Sequence, residues 1–177
     1  MNVEVRTMAL RLELRAEAEQ RIIEGPIVPW GETARISRTV TEVFTRGAFV
    51  GTDPENLPLL ATHDREQLPI GRAVELRDDP TAWWGAFKVS RTRLGDEVLE
   101  LVNDRALTGL SVGFLPVPGG DRWNTTHTRV ERIRALAHHV GVVPWPAYPG
   151  ARIEAVRAAL VPPEDAPLLT LARLQRR

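Results

Sequence analysis

Apolar and polar residues alternate in short runs along much of this chain. A period of two places successive side chains on opposite faces of an extended backbone, so these runs predict half-buried β-strands. Pro26 and Pro29 are expected to break the second strand, because proline donates no backbone hydrogen bond. A turn at residues 46–49 is expected to bring Phe49 into the core. The predicted strands cover residues 8–15, 21–25, 39–44, 57–62, 70–76, 83–89, 110–117, 128–133 and 136–143.

Residues 96–107 follow a different period, because their apolar side chains recur at the spacing of one helical face. Asp96 is the predicted N-cap of this helix, and Gly109 is the residue expected to end it. Residues 151–160 have a similar spacing and predict a second, shorter helix. Pro162-Pro163 follows at once, and the helix is not expected to continue through it.

The order of these elements predicts a mainly β protein with helices, in the α+β class. Eight or nine short strands with one or two helices favour a closed or nearly closed β-barrel that carries the helices outside. A length of 177 residues suffices for one domain with a real core. We assign residues 1–160 to that domain and residues 161–177 to a C-terminal tail.

Composition excludes several classes of function. The formal net charge is +0, so there is no general basic excess to hold nucleic acid, and no specific nucleic-acid partner is expected. The chain has no cysteine, which excludes disulfides, thiolate metal sites and a cysteine nucleophile. No apolar stretch approaches the length of a membrane span, and the N-terminus lacks the pattern of a secretory signal, so no membrane partner is expected.

Three polar residues are candidates for a catalytic triad. His63 ends a short apolar run, Ser111 lies between Gly109 and Gly113, and His139 lies on a later predicted strand. Together they provide a nucleophile, a base and a group that orients the base. Both glycines lack a Cβ and are expected to leave room for a peptide backbone. The order His, Ser, His differs from the chain orders of the trypsin, subtilisin and α/β-hydrolase families.

Simpler interpretations exist for each of these residues. His63 fits a polar loop at a strand end, and Ser111 fits the exposed face of a strand. The adjacent His138 and His139 suggest a metal site, but neighbours on a strand point to opposite faces and zinc needs three or four ligands. We therefore expect neither a metal nor a cofactor. The role that remains for His139 is to hold the His63 imidazole in one tautomer.

Five motifs, taken in order, resemble the prohead (capsid maturation) protease family of tailed bacteriophages, whose fold resembles the herpesvirus assemblin protease. The resemblance runs from about residue 11 to residue 153 and implies a single herpesvirus-protease-like β-barrel with peripheral helices. The motifs are Ile22-Ile23-Glu24-Gly25 with Val28-Pro29-Trp30-Gly31; Glu42-Val43-Phe44-Thr45-Arg46-Gly47-Ala48-Phe49; His63-Asp64 with Ile70-Gly71-Arg72; Leu110-Ser111-Val112-Gly113-Phe114; and Val142-Val143-Pro144-Trp145-Pro146-Ala147-Tyr148-Pro149-Gly150-Ala151.

This resemblance implies a serine endopeptidase with Ser111 as nucleophile and His63 as base. At the third position, His139-Val140-Gly141 stands where many phage relatives carry Glu-Val-Ser. Herpesvirus proteases use a Ser-His-His triad, so His139 is chemically suited to the role. Backbone N–H groups near Val112 or Gly113 and the side chain of Arg152 are the candidates for an oxyanion hole.

The resemblance also implies where the protein acts and on what. The expected place is the host bacterial cytoplasm, inside the assembling prohead. The expected substrates are the scaffold or the scaffold segment of the major capsid protein, and then the protease itself. The portal protein is a further candidate partner, and self-association is expected. Residues 161–177 would be a docking or self-cleavage segment, or a disordered terminus.

Two rival functions come from other classes. One is a catalytically inactive relative that keeps the barrel and serves as a capsid assembly or scaffold factor. The other is an unrelated β-barrel binding module whose histidines have no common role. The presence of both His63 and Ser111 argues against the inactive relative, and the separate motif matches argue against the unrelated binding module.

Overall fold

Strands dominate the computed structural model, which describes residues 20–157. One α-helix, α1, and one short 3-10 turn at Pro54–Asn56 accompany them in this part of the chain. The helix α1 covers Arg93–Asn103. The strands are β1 (Ile22–Pro29), β2 (Thr33–Arg35), β3 (Thr41–Phe44), β4 (Pro58–Ala61), β5 (Gly71–Asp78), β6 (Ala82–Val89), β7 (Gly109–Pro116), β8 (Asp121–Trp123), β9 (Arg129–Arg132), β10 (Ala135–Val143) and β11 (Ala155–Arg157).

Seven strands form the main sheet in the order β11-β1-β6-β5-β4-β10-β7. Its pairs are antiparallel except for β4 and β10, which run parallel. The sheet curls into a half-barrel, and the segment at residues 151–154 bridges its two ends. Within that segment, the N–H of Ile153 donates to the carbonyl of Thr108 (2.8 Å), and the N–H of Glu154 donates to the carbonyl of Glu24 (2.8 Å).

A second sheet of four strands, in the order β2-β3-β9-β8, accompanies the half-barrel. The predicted mainly β, α+β class is therefore confirmed, whereas the single barrel with peripheral helices is replaced by a curled sheet, a second sheet and one helix within residues 20–157. The alternating pattern predicts that a segment is extended, but it does not say which sheet the strand joins.

The core lies inside the curl and is rich in aromatic rings. Phe49 is 3% exposed and stacks on Trp83, with ring centroids 4.4 Å apart. The prediction that the turn at residues 46–49 brings Phe49 into the core is thus confirmed. Phe44 is fully buried, and its ring meets that of Phe114 edge to face. This contact anchors β7 to the core from the inner side of the sheet.

The predicted helix exists, but its boundaries differ from the prediction. Thr92 is the N-cap, because its hydroxyl accepts the N–H of Gly95 (3.1 Å), and Asp96 lies within the first turn. The helix ends at Asn103, well before Gly109, which is the first residue of β7. A threonine hydroxyl caps as an aspartate does, so the earlier of the two capping residues decided the start.

Two further expectations are wrong. Residues 155–157 of the predicted second helix form strand β11, because the edge of β1 offers them a backbone partner. Pro26 does not break β1, since the strand accommodates it with a register shift between Pro26 and Val28 and continues to Pro29. The strand predicted at residues 8–15, the end of the second helix at 158–160 and the tail at 161–177 lie outside the described residues. Within residues 20–157, no helix is long and apolar enough to cross a membrane.

Candidate active site

The three candidate residues lie on three neighbouring strands of the main sheet. The order β4-β10-β7 brings Leu60, Gly141 and Ser111 into one row across the sheet. His63 follows β4 directly, and His139 lies on β10 opposite Gly113 of β7. Residues that are far apart in the sequence therefore meet because β10 lies between the other two strands.

Ser111 lies on the outer face of the half-barrel. Leu110 is fully buried, and Phe114 packs on the core aromatic rings, so these even-numbered residues of β7 face inward. Ser111 and Gly113 alternate with them and face outward, as the period-two pattern predicts. The hydroxyl is therefore placed on a surface that a substrate can reach.

His63 lies over the backbone next to Ser111. Gly141 pairs directly with Ser111, so a side chain at Gly141 would share its face. A Cβ added there would clash with the carbonyl oxygen of Thr62 and would lie 3.2 Å from His63 Cε1. The imidazole thus occupies the space above Gly141, beside Ser111. Within residues 20–157, Ser111 Oγ makes no hydrogen bond to an imidazole; catalytic hydrogen bonds often tighten only when substrate is bound.

A single backbone feature turns His63 into this position. Thr62 has a φ of +59°, in the left-handed region that non-glycine residues rarely adopt. Its N–H donates to the carbonyl of Val142 (3.0 Å), which extends the parallel pairing of β4 with β10 by one residue. The chain then reverses over Gly141. Unusual backbone conformations of this kind concentrate at functional sites.

The two imidazoles of the candidate triad are directly hydrogen-bonded. His63 Nδ1 lies 2.8 Å from His139 Nε2, and the ring planes are inclined by 68°. Among the described residues, His63 Nε2 has no hydrogen-bond partner. That is the ring nitrogen which a serine hydroxyl uses when the other nitrogen is held by an orienting group.

His139 is buried against the neighbouring strand. Its side chain is 7% exposed, and a Cβ added to Gly113 would lie 2.7 Å from its Nδ1 atom. A Cβ added to Gly109 would lie 2.6 Å from Pro146. The expectation that both glycines leave room for a peptide backbone is therefore wrong for this face, where the protein's own His139 and Pro146 fill the space.

A β-bulge in β10 brings the His138 side chain beside that of His139. The register of β10 against β7 shifts between Ala137 and His139, which leaves His138 as the extra residue. Its Nδ1 lies 3.3 Å from the Nδ1 of His139. The expectation that these neighbours point to opposite faces is wrong, since the bulge removes the alternation. The described residues nevertheless contain no group of three His, Cys, Asp or Glu side chains that could hold a metal ion.

Burial keeps both imidazoles of the candidate triad neutral. It lowers the pKa of His139 to about 4, with smaller contributions from His63, His138 and Arg65. Partial desolvation also lowers the pKa of His63, whose ring remains exposed on one side. A neutral His63 at pH 7 can accept a proton, as a general base requires.

The candidates for the oxyanion hole differ in where they point. The N–H of Leu110 donates away from β10, to the carbonyl of Ala151 (3.3 Å). By alternation, the N–H of Val112 points to the same outer edge, whereas that of Gly113 points toward β10. The backbone of Arg152 forms an isolated antiparallel β-bridge with Gly109, on the face that carries Ser111. Its guanidinium, however, donates to Glu154 (3.2 Å). The geometry favours Val112.

A buried ionic cluster supports the site from the second sheet, and the sequence interpretation missed it. Glu42 is 4% exposed; one oxygen accepts from Tyr148 Oη and the other from Arg132 Nε, both at 2.8 Å. Burial and the Glu42 charge raise the pKa of the Tyr148 hydroxyl. The Arg132 guanidinium lies 5.3 Å from the ring centroid of Phe114 on β7. The available signal was Glu42, a charged residue on the same face as Val40 and Phe44 in the predicted strand at 39–44.

The comparisons with known proteins identify the family. The sequence model of the caudovirus prohead serine protease matches residues 8–163. No curated protein has a significant match to the chain. Because the matched region covers most of the sequence, the chain belongs to the caudovirus prohead serine protease family. This is a family of serine proteases of capsid maturation, which act inside the phage prohead and associate with capsid or scaffold proteins.

Proposed function

We propose that this chain is an active serine endopeptidase that cleaves the scaffold, or the scaffold segment of the major capsid protein, inside the immature prohead and then cleaves itself. The observation that carries this proposal is the 2.8 Å contact of His63 Nδ1 with His139 Nε2, which leaves His63 Nε2 for the hydroxyl of Ser111. Family membership supports the same chemistry.

In the proposed mechanism, Ser111 Oγ attacks the scissile carbonyl while His63 Nε2 accepts the hydroxyl proton. His63 then carries a proton on each ring nitrogen, and its Nδ1–H donates to His139 Nε2. The tetrahedral intermediate collapses when His63 returns its proton to the leaving amine. A water molecule, deprotonated by His63, then attacks the acyl carbonyl, and His63 returns that proton to Ser111 Oγ as the acyl group leaves. The N–H of Val112 stabilises the oxyanion in both steps.

The topology suggests how a peptide would bind. Strand β7 is at the edge of the main sheet, and the segment at 151–153 pairs only with its beginning. Within residues 20–157, the outer edge of β7 beyond Leu110 has no partner strand. An extended peptide that paired there would run past Ser111, and its backbone would supply the affinity.

We assign residues 1–160 to the protease domain and residues 161–177 to a tail that serves as a docking or self-cleavage segment. The proposed place of action is the prohead in the host bacterial cytoplasm. The portal protein is a further candidate partner, and self-association inside the shell would raise the local concentration of the enzyme.

Co-expression with the major capsid protein of the same phage tests the proposal. Wild type is expected to shorten the capsid protein, whereas Ser111→Ala leaves it intact, as measured by intact mass spectrometry of both chains. Ser90→Ala is the matched control, because Ser90 is an exposed serine beyond β6, outside the site. Shells that assemble without any trimming by wild type would contradict the protease and favour the inactive assembly factor.

A further inference from the structure

His138 makes a contact that the proposed triad does not use. Its Nδ1 lies 3.3 Å from His139 Nδ1, with ring centroids 5.6 Å apart and planes nearly perpendicular. The contact exists because the bulge in β10 places both side chains on one side of the strand. The three imidazoles of His63, His139 and His138 therefore form a continuous chain of hydrogen bonds.

The hydrogen bonds between the three imidazoles can run in either of two directions, depending on which nitrogen of His139 carries the proton. Neutral His139 carries one ring proton, while each of its nitrogens faces another imidazole. If the proton is on Nδ1, His139 donates to His138 and its Nε2 accepts from the Nδ1–H of His63. His63 Nε2 then has a free lone pair and can act as a base.

The opposite direction inactivates the base. If the His139 proton is on Nε2, it donates to His63 Nδ1, and neutral His63 must then carry its own proton on Nε2. That nitrogen cannot accept the hydroxyl proton of Ser111. The ring nitrogen of His139 that carries the proton therefore decides whether His63 can act as a base. In other serine proteases, too, a base histidine held in the wrong tautomer is inactive.

We propose that His138 is a positioning residue whose Nδ1 accepts the hydrogen bond of His139 Nδ1–H and so selects the productive tautomer of both other imidazoles. This inference rests on the proposed function, in which His63 is the base. His138 is exposed, so its own Nε2–H can be solvated by water while its Nδ1 remains an acceptor. His139 is buried and cannot use water as freely.

Nitrogen NMR of the histidine rings tests the tautomer without relying on activity. In Ser111→Ala protein labelled with 15N histidine, His139 is expected to carry its proton on Nδ1 and none on Nε2. In the Ser111→Ala, His138→Ala double variant, both tautomers of His139 should be populated. A proton on His139 Nε2 in the parent, or the same pattern in both proteins, would overturn the inference.

A kinetic experiment tests the consequence with a fluorophosphonate probe of the Ser111 hydroxyl. His138→Ala should slow labelling about tenfold, by analogy with the partners that orient metal-bound imidazoles, whose loss typically costs factors of about 10 to 100. His138→Asn should restore the rate, since its amide oxygen lies as many bonds from Cβ as Nδ1 does. His127→Ala is the matched control, because His127 is an exposed histidine in the turn before β9 whose ring faces Trp123 and not the imidazoles of the site.

The outcomes separate this inference from the proposed function. Wild type that is labelled, with His138→Ala labelled equally fast, overturns the role of His138 and leaves the protease intact. Wild type that is not labelled contradicts the protease, and the NMR experiment then still decides the tautomer. An unchanged thermal unfolding midpoint for His138→Ala would show that a slower rate is not caused by misfolding.

Discussion

The residues of the site differ in what each ring nitrogen does. His63 Nδ1 contacts His139 and its Nε2 has no partner among the described residues, whereas His139 has both nitrogens engaged by other imidazoles. In the proposed mechanism His63 is the proton acceptor and His139 acts only through it, so the two residues should not contribute equally to the rate. Their types and their order along the chain were predictable from sequence, but the choice of nitrogen is a property of the folded geometry.

Variants at these two positions should therefore differ in activity. His63→Ala should slow capsid-protein processing by roughly 10²–10⁴-fold, the range of general base catalysis, and His139→Ala by less. His139→Glu should retain activity, because a carboxylate also accepts the His63 Nδ1–H. Initial processing rates measure all three. Equal losses in both alanine variants would contradict the subordinate role of His139, and a folded but inactive His139→Glu would contradict its equivalence with glutamate.

At the scale of elements, glycines and one bulge hold the site together. Gly141 of β10 lets the chain after β4 pass over it, and Gly113 of β7 lets the His139 ring rest on it. The positions of these glycines are evident from the sequence. What they make room for could not be predicted, because the atoms that pack on them belong to other segments of the chain. The bulge at His138 was also hidden, since a continuous run of strand-forming residues does not reveal an extra residue.

Gly141→Ala tests this arrangement. The added Cβ would clash with the carbonyl of Thr62 and push His63 away from Ser111. We expect processing to be lost and the protein to be destabilised by about 1–3 kcal/mol, as for other overpacked sites. Processing assays and thermal unfolding measure the two effects.

Gly51→Ala is the control for that variant, because Gly51 has a φ of +89° in a turn with open space around it. It should cost about 1 kcal/mol through backbone strain and leave processing intact. Full processing by Gly141→Ala would contradict the role that we assign to the crossing at Thr62.

At the scale of the whole molecule, the second sheet supports β7, the strand that carries Ser111. Glu42 on β3 binds Arg132 on β9 and Tyr148 after β10, and Arg132 faces Phe114 on β7. Glu42 belongs to the motif at residues 42–49, and Tyr148 belongs to the motif at residues 142–151. These two motifs therefore meet in one buried ionic cluster. A buried charge needs a partner, but sequence alone does not say which arginine or tyrosine provides it.

Most of the strands could be predicted from the sequence, but strand β11 and the division of the strands into two sheets could not. Period-two patterns gave most strands within residues 20–157, because each side of a strand carries its own polarity signal. Strand β11 and the second sheet depend on free backbone edges elsewhere in the molecule, and local sequence carries no such signal. The helix start was also mispredicted, because Thr92 and Asp96 are both capping residues and the earlier one, Thr92, caps the helix.

The central claim is that neutral His63 activates Ser111, and the pH dependence of phosphonate labelling tests it most directly. Because burial lowers the pKa of His63 from 6.5, the base is deprotonated earlier, so labelling should rise with pH through a midpoint below 6.5. Mass spectrometry should place the adduct on Ser111, and His63→Ala should abolish it. An adduct on another residue, or labelling of Ser111 that survives the loss of His63, would contradict the account.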